Sequence, residues 1–312
     1  MRGFRLAKCG LRTESKGRKQ CTMSHFSAML IMSFKPIFSI PISISRRLLY
    51  FCLLWMMLLA IITPVVAENN AEGITLQETR YQHKRYVVVT LSLDEVQLEH
   101  HWKNNDTGLS YSSLASLNSA TRKKGNELLF AINSGIYTKE YTPLGLYIEN
   151  HQTYSPLNLV KSNGGQGNFS LFPNGVFYMT DDNRAHILDT DAFHRQYKRD
   201  YANIRDAVQS GPMLLVNGEY NPYFIPKSDS LRIRSAVCSM DGGRKVTFVV
   251  TEDSVNFYEF ASFFKEKLQC DKGNALYLDG TLARIYLKGR VYGASFWQAK
   301  PMVGIWSVIR EH

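Results

Sequence analysis

Asp279 closes the apolar run Ala275-Leu276-Tyr277-Leu278. An unpaired charge is costly in such a setting, so a carboxylate there suggests acid–base or nucleophilic work. Arg234 borders a second β-rich run, Ser235–Cys238, and offers a two-pronged donor for phosphate or carboxylate. Both lie in short turns at strand ends, mostly rich in Gly, Asn, Asp and Ser. These are Asn133-Ser134-Gly135-Ile136-Tyr137, Gly164-Gly165-Gln166-Gly167-Asn168-Phe169, Gln209-Ser210-Gly211-Pro212, Arg232-Ile233-Arg234-Ser235 and Asp279-Gly280-Thr281. Glycine lets a ligand approach the main chain, and exposed N–H groups in such turns form anion-binding nests. Each turn also has an ordinary explanation: Gly permits positive φ, and Asn or Asp bonds its own backbone. Arg234 alone suits a structural ion pair, and Asp279 alone suits a turn-former holding the amides of Gly280 and Thr281. It is the recurrence of the turns that points to a site.

Other chemistries are poorly served. The segment Gly164–Asn168 lacks the GK[ST] ending of a phosphate-binding P-loop. Ser210 stands in QSGP rather than in the GxSxG of a nucleophile elbow. His100 and His101 fall on opposite faces of a strand, and His151, His186 and His194 are scattered without ligand spacing. No cofactor is required by the sequence, although a divalent cation remains compatible with it. The 17 Tyr and 17 Phe suit sugar-stacking surfaces, though core packing accounts for most of them.

The elements that must position these residues are mainly strands. Tyr86–Leu93 is rich in β-branched residues, with Val96–Trp102 as its expected partner. Leu109–Lys124 has helical spacing, and Leu128–Asn133 is a short buried strand. Pro173-Asn174-Gly175, Asn217-Gly218 and Asp241-Gly242-Gly243 each predict a hairpin. A helix follows Ser254, with Phe257, Phe260, Ala261, Phe264 and Leu268 as its apolar stripe. Hairpins outnumber strand–helix–strand units, so the expected class is α+β: one domain of largely antiparallel or mixed sheet with a few packed helices.

The 312 residues carry 37 Lys+Arg and 27 Asp+Glu, a net +10. Residues 1–67 hold ten of the basic residues and one acid, which leaves residues 68–312 at +1. The body therefore has no electrostatic footprint for nucleic acid. Residues 48–62, LLYFCLLWMMLLAII, follow Arg46-Arg47 and precede Thr63-Pro64 and Val65-Val66-Ala67. Basic, apolar and small-residue segments in that order predict a signal peptide cut after about Ala67, or an N-terminal membrane anchor if uncleaved. Either way the domain at 68–312 is expected to be exported, periplasmic or secreted, and to meet the membrane only through its leader. Cys238 and Cys270 are the two cysteines after the leader. They either pair in an oxidising compartment or remain two small buried hydrophobes.

In the order AINSGIY, TPLGLYIEN, GNFSLFPNGVFY, AVQSGPMLLVNGE, IRSAV and ALYLDG, the chain resembles the phosphodiester glycosidase domain family. It is uncovering-enzyme-like in motif order and closest to the family's exported bacterial branch. The resemblance runs from about Tyr86 onward and implies a hydrolase acting on a sugar-1-phosphodiester, with a glycan phosphodiester as partner. By matching motifs, Asn133 and Gly135 stand at the family's N-G-G-like turn, Arg234 at its Arg and Asp279-Gly280 at its D-G. Ser134 replaces the first Gly, and Thr281-Leu282-Ala283 stands where many members have Gly and Ser. The implied catalytic residues are Asp279, as nucleophile or base, and Arg234, as phosphate clamp. Asn133, Gly135, Tyr137, Asn168, Ser210, Gly211 and Gly280 are the implied substrate-binding set. Glu140, three residues before Pro143, is the reserve carboxylate. The alternatives are a non-catalytic envelope glycan-binding protein and another polysaccharide hydrolase on the same scaffold.

Overall fold

The valine-rich run of the sequence forms β2 (Lys84–Ser92). Val87, Val89 and Leu91 face one apolar cluster, and Tyr86 and Val88 face another. Burial on both faces explains why this strand reads as a continuous apolar run rather than an alternating one. The structure, a computed structural model, describes residues 73–161, 169–270, 273–280, 282–294 and 300–312. The expectations for residues 1–67, Asn168 and Thr281 lie outside the described residues.

Among the described residues the strands form three antiparallel sheets. The first runs β1 (Ile74–Tyr81), β2, β13 (Lys245–Thr251), β12 (Ser235–Met240), β14 (Ala275–Asp279), β10 (Met213–Val216) and β11 (Glu219–Tyr220). The second runs β16 (Arg290–Gly293), β15 (Arg284–Leu287), β4 (Glu127–Asn133), β17 (Ile305–Arg310) and β3 (Glu99–His101). The third runs β6 (Gln152–Ser155), β5 (Tyr147–Glu149), β9 (Ile204–Ser210), β7 (Gly175–Thr180) and β8 (Ala185–Asp189). All three contribute to one shared core, where Phe248, Phe130, Phe177 and Trp306 meet.

The outer face of each sheet is covered by a helix. Leu114 and Leu117 of α1 (Leu114–Lys123) pack on Leu128 and Ile305, and Phe193 of α2 (Thr190–Tyr197) packs on Ile148 and Val176. Phe260 of α3 (Phe257–Ser262) and Phe263 and Phe264 of the π-helical turn after it (Phe263–Leu268) cover the first sheet. The mixed class with predominantly antiparallel sheet matches the expectation. Cys238 and Cys270 form a disulfide that ties β12 to the end of that helical segment. Among the described residues no helix is long and apolar enough to cross a membrane.

Several local expectations are corrected. Val96–Trp102 does not pair with β2, because both edges of β2 are taken by β1 and β13; instead Glu99–His101 pairs with β17. The first helix starts at Leu114, capped by Ser113, and Leu109 is exposed. Asn256 rather than Ser254 caps α3, in a reciprocal capping box with Glu259. Pro173-Asn174-Gly175 makes no hairpin: the Pro173 carbonyl accepts from Met213 N–H, so the segment docks on β10.

Candidate active site

The strand β14 alternates as a pleat requires. Leu276 and Leu278 point into the shared core, and Ala275 and Tyr277 point to the opposite side; the pairing with β12 then shifts register, and past that irregularity Asp279 lines the same cleft as Tyr277. Its main chain is braced from two directions. Ser235 Oγ donates to Asp279 O at 2.8 Å and accepts from Asp279 N at 3.2 Å. Asn133 Nδ2 donates to that same Ser235 Oγ at 2.9 Å, and Asn133 Oδ1 accepts from Arg284 N at 3.2 Å. Ser210 Oγ donates to Leu278 O at 3.0 Å. The turns at Asn133, Ser210, Ser235 and Asp279 therefore meet. Asn133 and Ser210 are buried, so they hold the strand end in place from behind the wall.

Two glycines are needed for the closeness of these turns. A Cβ on Gly135 would lie 2.7 Å from Val208 Cγ2 and 3.0 Å from Ser210 Cβ. A Cβ on Gly280 would lie 2.6 Å from the Tyr277 hydroxyl. Gly211 precedes Pro212, whose carbonyl accepts from Tyr277 N at 3.1 Å, so it lies alongside β14 and outside the cleft wall.

A cleft of about 460 Å³ opens beside Asp279 and Gly280. Its wall carries the side chains of Tyr137, Tyr141 and Tyr277 and three cations, Lys139, Arg232 and Lys300. Asp279 is the carboxylate among the described residues of the wall. Tyr137 and Tyr141 stack with ring centroids 5.8 Å apart and planes 22° apart. Burial first, and then the Asp279 carboxylate, push the Tyr137 hydroxyl up to about 12. The same causes in the same order raise Tyr277, opposed by Arg234. Both phenols thus stay protonated at neutral pH and offer O–H donors beside Asp279. Asp279 Oδ1 accepts from Gly280 N at 2.5 Å.

Arg234 takes a different place from the one its type suggests. Its guanidinium is buried, with Nε donating to Val255 O at 2.9 Å and a terminal nitrogen donating to Ser230 O at 2.8 Å. It lies 3.7 Å above the Phe257 ring and 5.5 Å from the centre of the Tyr277 ring. Burial lowers its pKa. It therefore stands behind the wall, while its neighbour Arg232 is exposed and lines the cleft. Glu140 is exposed in the loop beside Lys139 and is not part of the wall.

The sequence reading passed over Arg232, Lys139, Lys300, Tyr141, Tyr277 and Ser235. Tyr277 is two residues from Asp279, but a register shift in the β12–β14 pairing lies between them, so alternation alone does not announce that both line the cleft. Ser134 is also more than a turn residue. Its Oγ lies 2.7 Å from Nε2 of buried His100, whose Nδ1 lies 3.2 Å from Ile148 O and whose ring stacks 4.1 Å from Trp306. His101, on the other face of β3, lies 3.3 Å from Glu99.

A larger cavity, about 850 Å³, lies around Asn274 at the opposite end of β14. Asn274 there bonds Ile187 O and Asn217 N–H, and the Tyr178 hydroxyl accepts from Tyr197, so these groups are committed to structure. The smaller cleft is the better chemical site, because it joins a strand-end carboxylate to a cluster of cations. Among the described residues no group of three or more His, Cys, Asp or Glu could hold a metal ion.

The family model for phosphodiester glycosidase matches residues 126–294, a span that begins just before Asn133 and ends past Asp279. The uncharacterised protein YigE of Escherichia coli (strain K12) is 41% identical over 204 residues, covering 65% of this chain and 72% of its own length. Among solved structures, a hypothetical protein from Synechocystis superposes with a TM-score of 0.51 at 14% identity, which is a likeness of fold. The match covers 77% of this chain and 62% of that one, under two thirds of its length. The catalytic domain of zebrafish N-acetylglucosamine-1-phosphodiester alpha-N-acetylglucosaminidase, auto-inhibited by its pro-peptide, gives a TM-score of 0.49 at 15% identity. That match covers 78% of this chain and 83% of that one.

Proposed function

This chain belongs to the phosphodiester glycosidase family, and from that premise we propose that it hydrolyses a sugar-1-phosphodiester in the cleft beside Asp279. The observation that carries this reading is one strand-end carboxylate among three cations and a stacked tyrosine pair. Arg232, Lys139 and Lys300 suit the phosphodiester anion, and Tyr137 and Tyr141 offer a ring face for the sugar.

The charges also suit the bond to be broken. Ordinary glycosidases use two carboxylates, one of them to protonate a poor alkoxide leaving group. When the C1–O bond breaks here, its electron pair goes to a phosphate oxygen. The product is a phosphomonoester whose second pKa is about 6, so no dedicated acid is needed. Asp279 then serves as the nucleophile at C1 or as the base that takes the proton from the attacking water. The cations stabilise the charge gathering on phosphate. The net result is sugar-OH and a phosphomonoester from the diester and one water.

The same proposal places the domain outside the cytoplasm. The basic-then-apolar leader and the Cys238–Cys270 disulfide support that placement.

Hydrolysis of a sugar 1-(aryl phosphate) diester in ¹⁸O-labelled water tests the reaction. Cleavage at C1 gives labelled free sugar and unlabelled aryl phosphate. Labelled phosphate with release of the phenol would make the protein a phosphodiesterase, and no turnover across several sugars would leave it a binding protein.

A further inference from the structure

Arg234 and Tyr277 form a unit in the wall of this cleft. Tyr277 is only 8% exposed, and its ring meets Phe257 edge-on at 5.0 Å. The Arg234 guanidinium lies over that same Phe257 ring, 5.5 Å from the Tyr277 ring centre. Two of its N–H donors are spent on Ser230 O and Val255 O, so its plane is fixed by the main chain. The phenolic oxygen lies against Gly280, where no Cβ intervenes, and Tyr277 lines the same cleft as Asp279.

We propose that Tyr277 is a catalytic hydrogen-bond donor of this cleft, and that Arg234 is a positioning residue acting through it. The proposal rests on the glycosidase reading above. The guanidinium charge beside the phenol repels the hydroxyl proton. The single O–H is then left to point away from Arg234, toward the Gly280 side, where the cleft lies. There it donates to the phosphate oxygen that receives the electron pair as the C1–O bond breaks, and the proton stays on tyrosine. The donor is fixed before substrate arrives, so it strengthens as charge develops without reorganising. A buried arginine beside a phosphate site thus acts at one remove, while exposed Arg232 meets the anion directly.

The test is a double-mutant cycle of Tyr277→Phe and Arg234→Lys, read as kcat, KM and melting temperature on a sugar-1-phosphodiester. It is accompanied by calorimetric binding of phenyl phosphate, a product-like anion. Tyr277→Phe should lower kcat roughly a hundred-fold, with KM and melting temperature little changed. It should also weaken phenyl phosphate binding. Arg234→Lys should lower kcat in the wild-type background and add almost nothing once Tyr277 is already Phe. Equal losses from Arg234→Lys in both backgrounds, tracking a fall in melting temperature, would reduce Arg234 to a structural residue and overturn its half of the proposal. Undiminished turnover and binding in Tyr277→Phe would overturn the other half. If the wild-type protein neither turns over the diester nor binds phenyl phosphate, the glycosidase reading fails and this proposal goes with it.

Discussion

Asp279 is half-exposed at the end of a strand that is otherwise buried, and its main-chain N–H and C=O are both bonded to Ser235. Asp279→Asn preserves shape and the Gly280 contact, so it should cut kcat by about 10³-fold while shifting the melting temperature little. Early melting with retained turnover would make Asp279 a turn-former. Arg232→Ala removes a cation that meets substrate in ground and transition state alike, and is expected to raise KM more than it lowers kcat. A pure kcat effect from initial rates would contradict that assignment. Gly280→Ala should be inactivating with normal expression, since the added methyl collides with the Tyr277 hydroxyl and lies 3.0 Å from Ile233 O. Much of this site was legible residue by residue. Asp279 showed itself by ending an apolar run. Asn133 and Ser210 were legible as turns, but the substrate-binding role expected of them is not where the structure puts them: both are buried and brace β14 from behind the wall. The choice between Arg232 and Arg234 was not legible. The two lie two apart on one extended segment, and only the carbonyls of Ser230, four residues upstream of Arg234, and of Val255, from a distant part of the chain, decide which guanidinium is buried.

At the scale of elements, legibility followed turn chemistry. Asn217-Gly218 announced the β10–β11 hairpin, and both residues adopt positive φ there. Gln82-His83 and Asn150-His151 make equally tight hairpins with positive φ at both positions, yet neither pair carries the glycine that would flag it. Long-range pairing was the less readable part, because the partner of β3 is settled by which strand edges remain open rather than by β3 itself. Asn133 links its sheet to the first one through Ser235 and to its neighbour strand β15 through Arg284. Asn133→Ala leaves those buried groups short of partners and should cost about 1–3 kcal/mol in chemical denaturation, with activity falling alongside. Asn256→Ala removes the capping box of α3 and should cost about 1 kcal/mol without touching kinetics.

For the whole molecule, two features set the conditions under which it stays folded. The Cys238–Cys270 link closes a loop across 32 residues, and reducing it should lower stability by about 3–4 kcal/mol, measurable as an earlier denaturation midpoint with reductant. Burial pushes the His100 imidazole down to about 3. Below its ordinary value of 6.5 the unfolded chain takes up a proton that the folded protein refuses. Stability from this residue therefore falls as pH drops from 6.5 toward 3, by about 1.4 kcal/mol per pH unit. Glu149 and Asp206, whose carboxyls burial raises, act in the opposite sense. His100→Gln should flatten the acid limb of a stability-against-pH curve even if it lowers the plateau, and an unchanged slope would clear His100 of that role. The position of β17 has a consequence in time. Its residues 305–310 lie between β3 and β4, and Trp306 stands in the shared core, so the second sheet is split until that strand is added. β3 and β4 leave the ribosome with their facing edges open and wait for a segment far downstream, so this sheet closes in an order its own sequence of strands does not follow, and the loop that closes it is among the slowest contacts the fold must make.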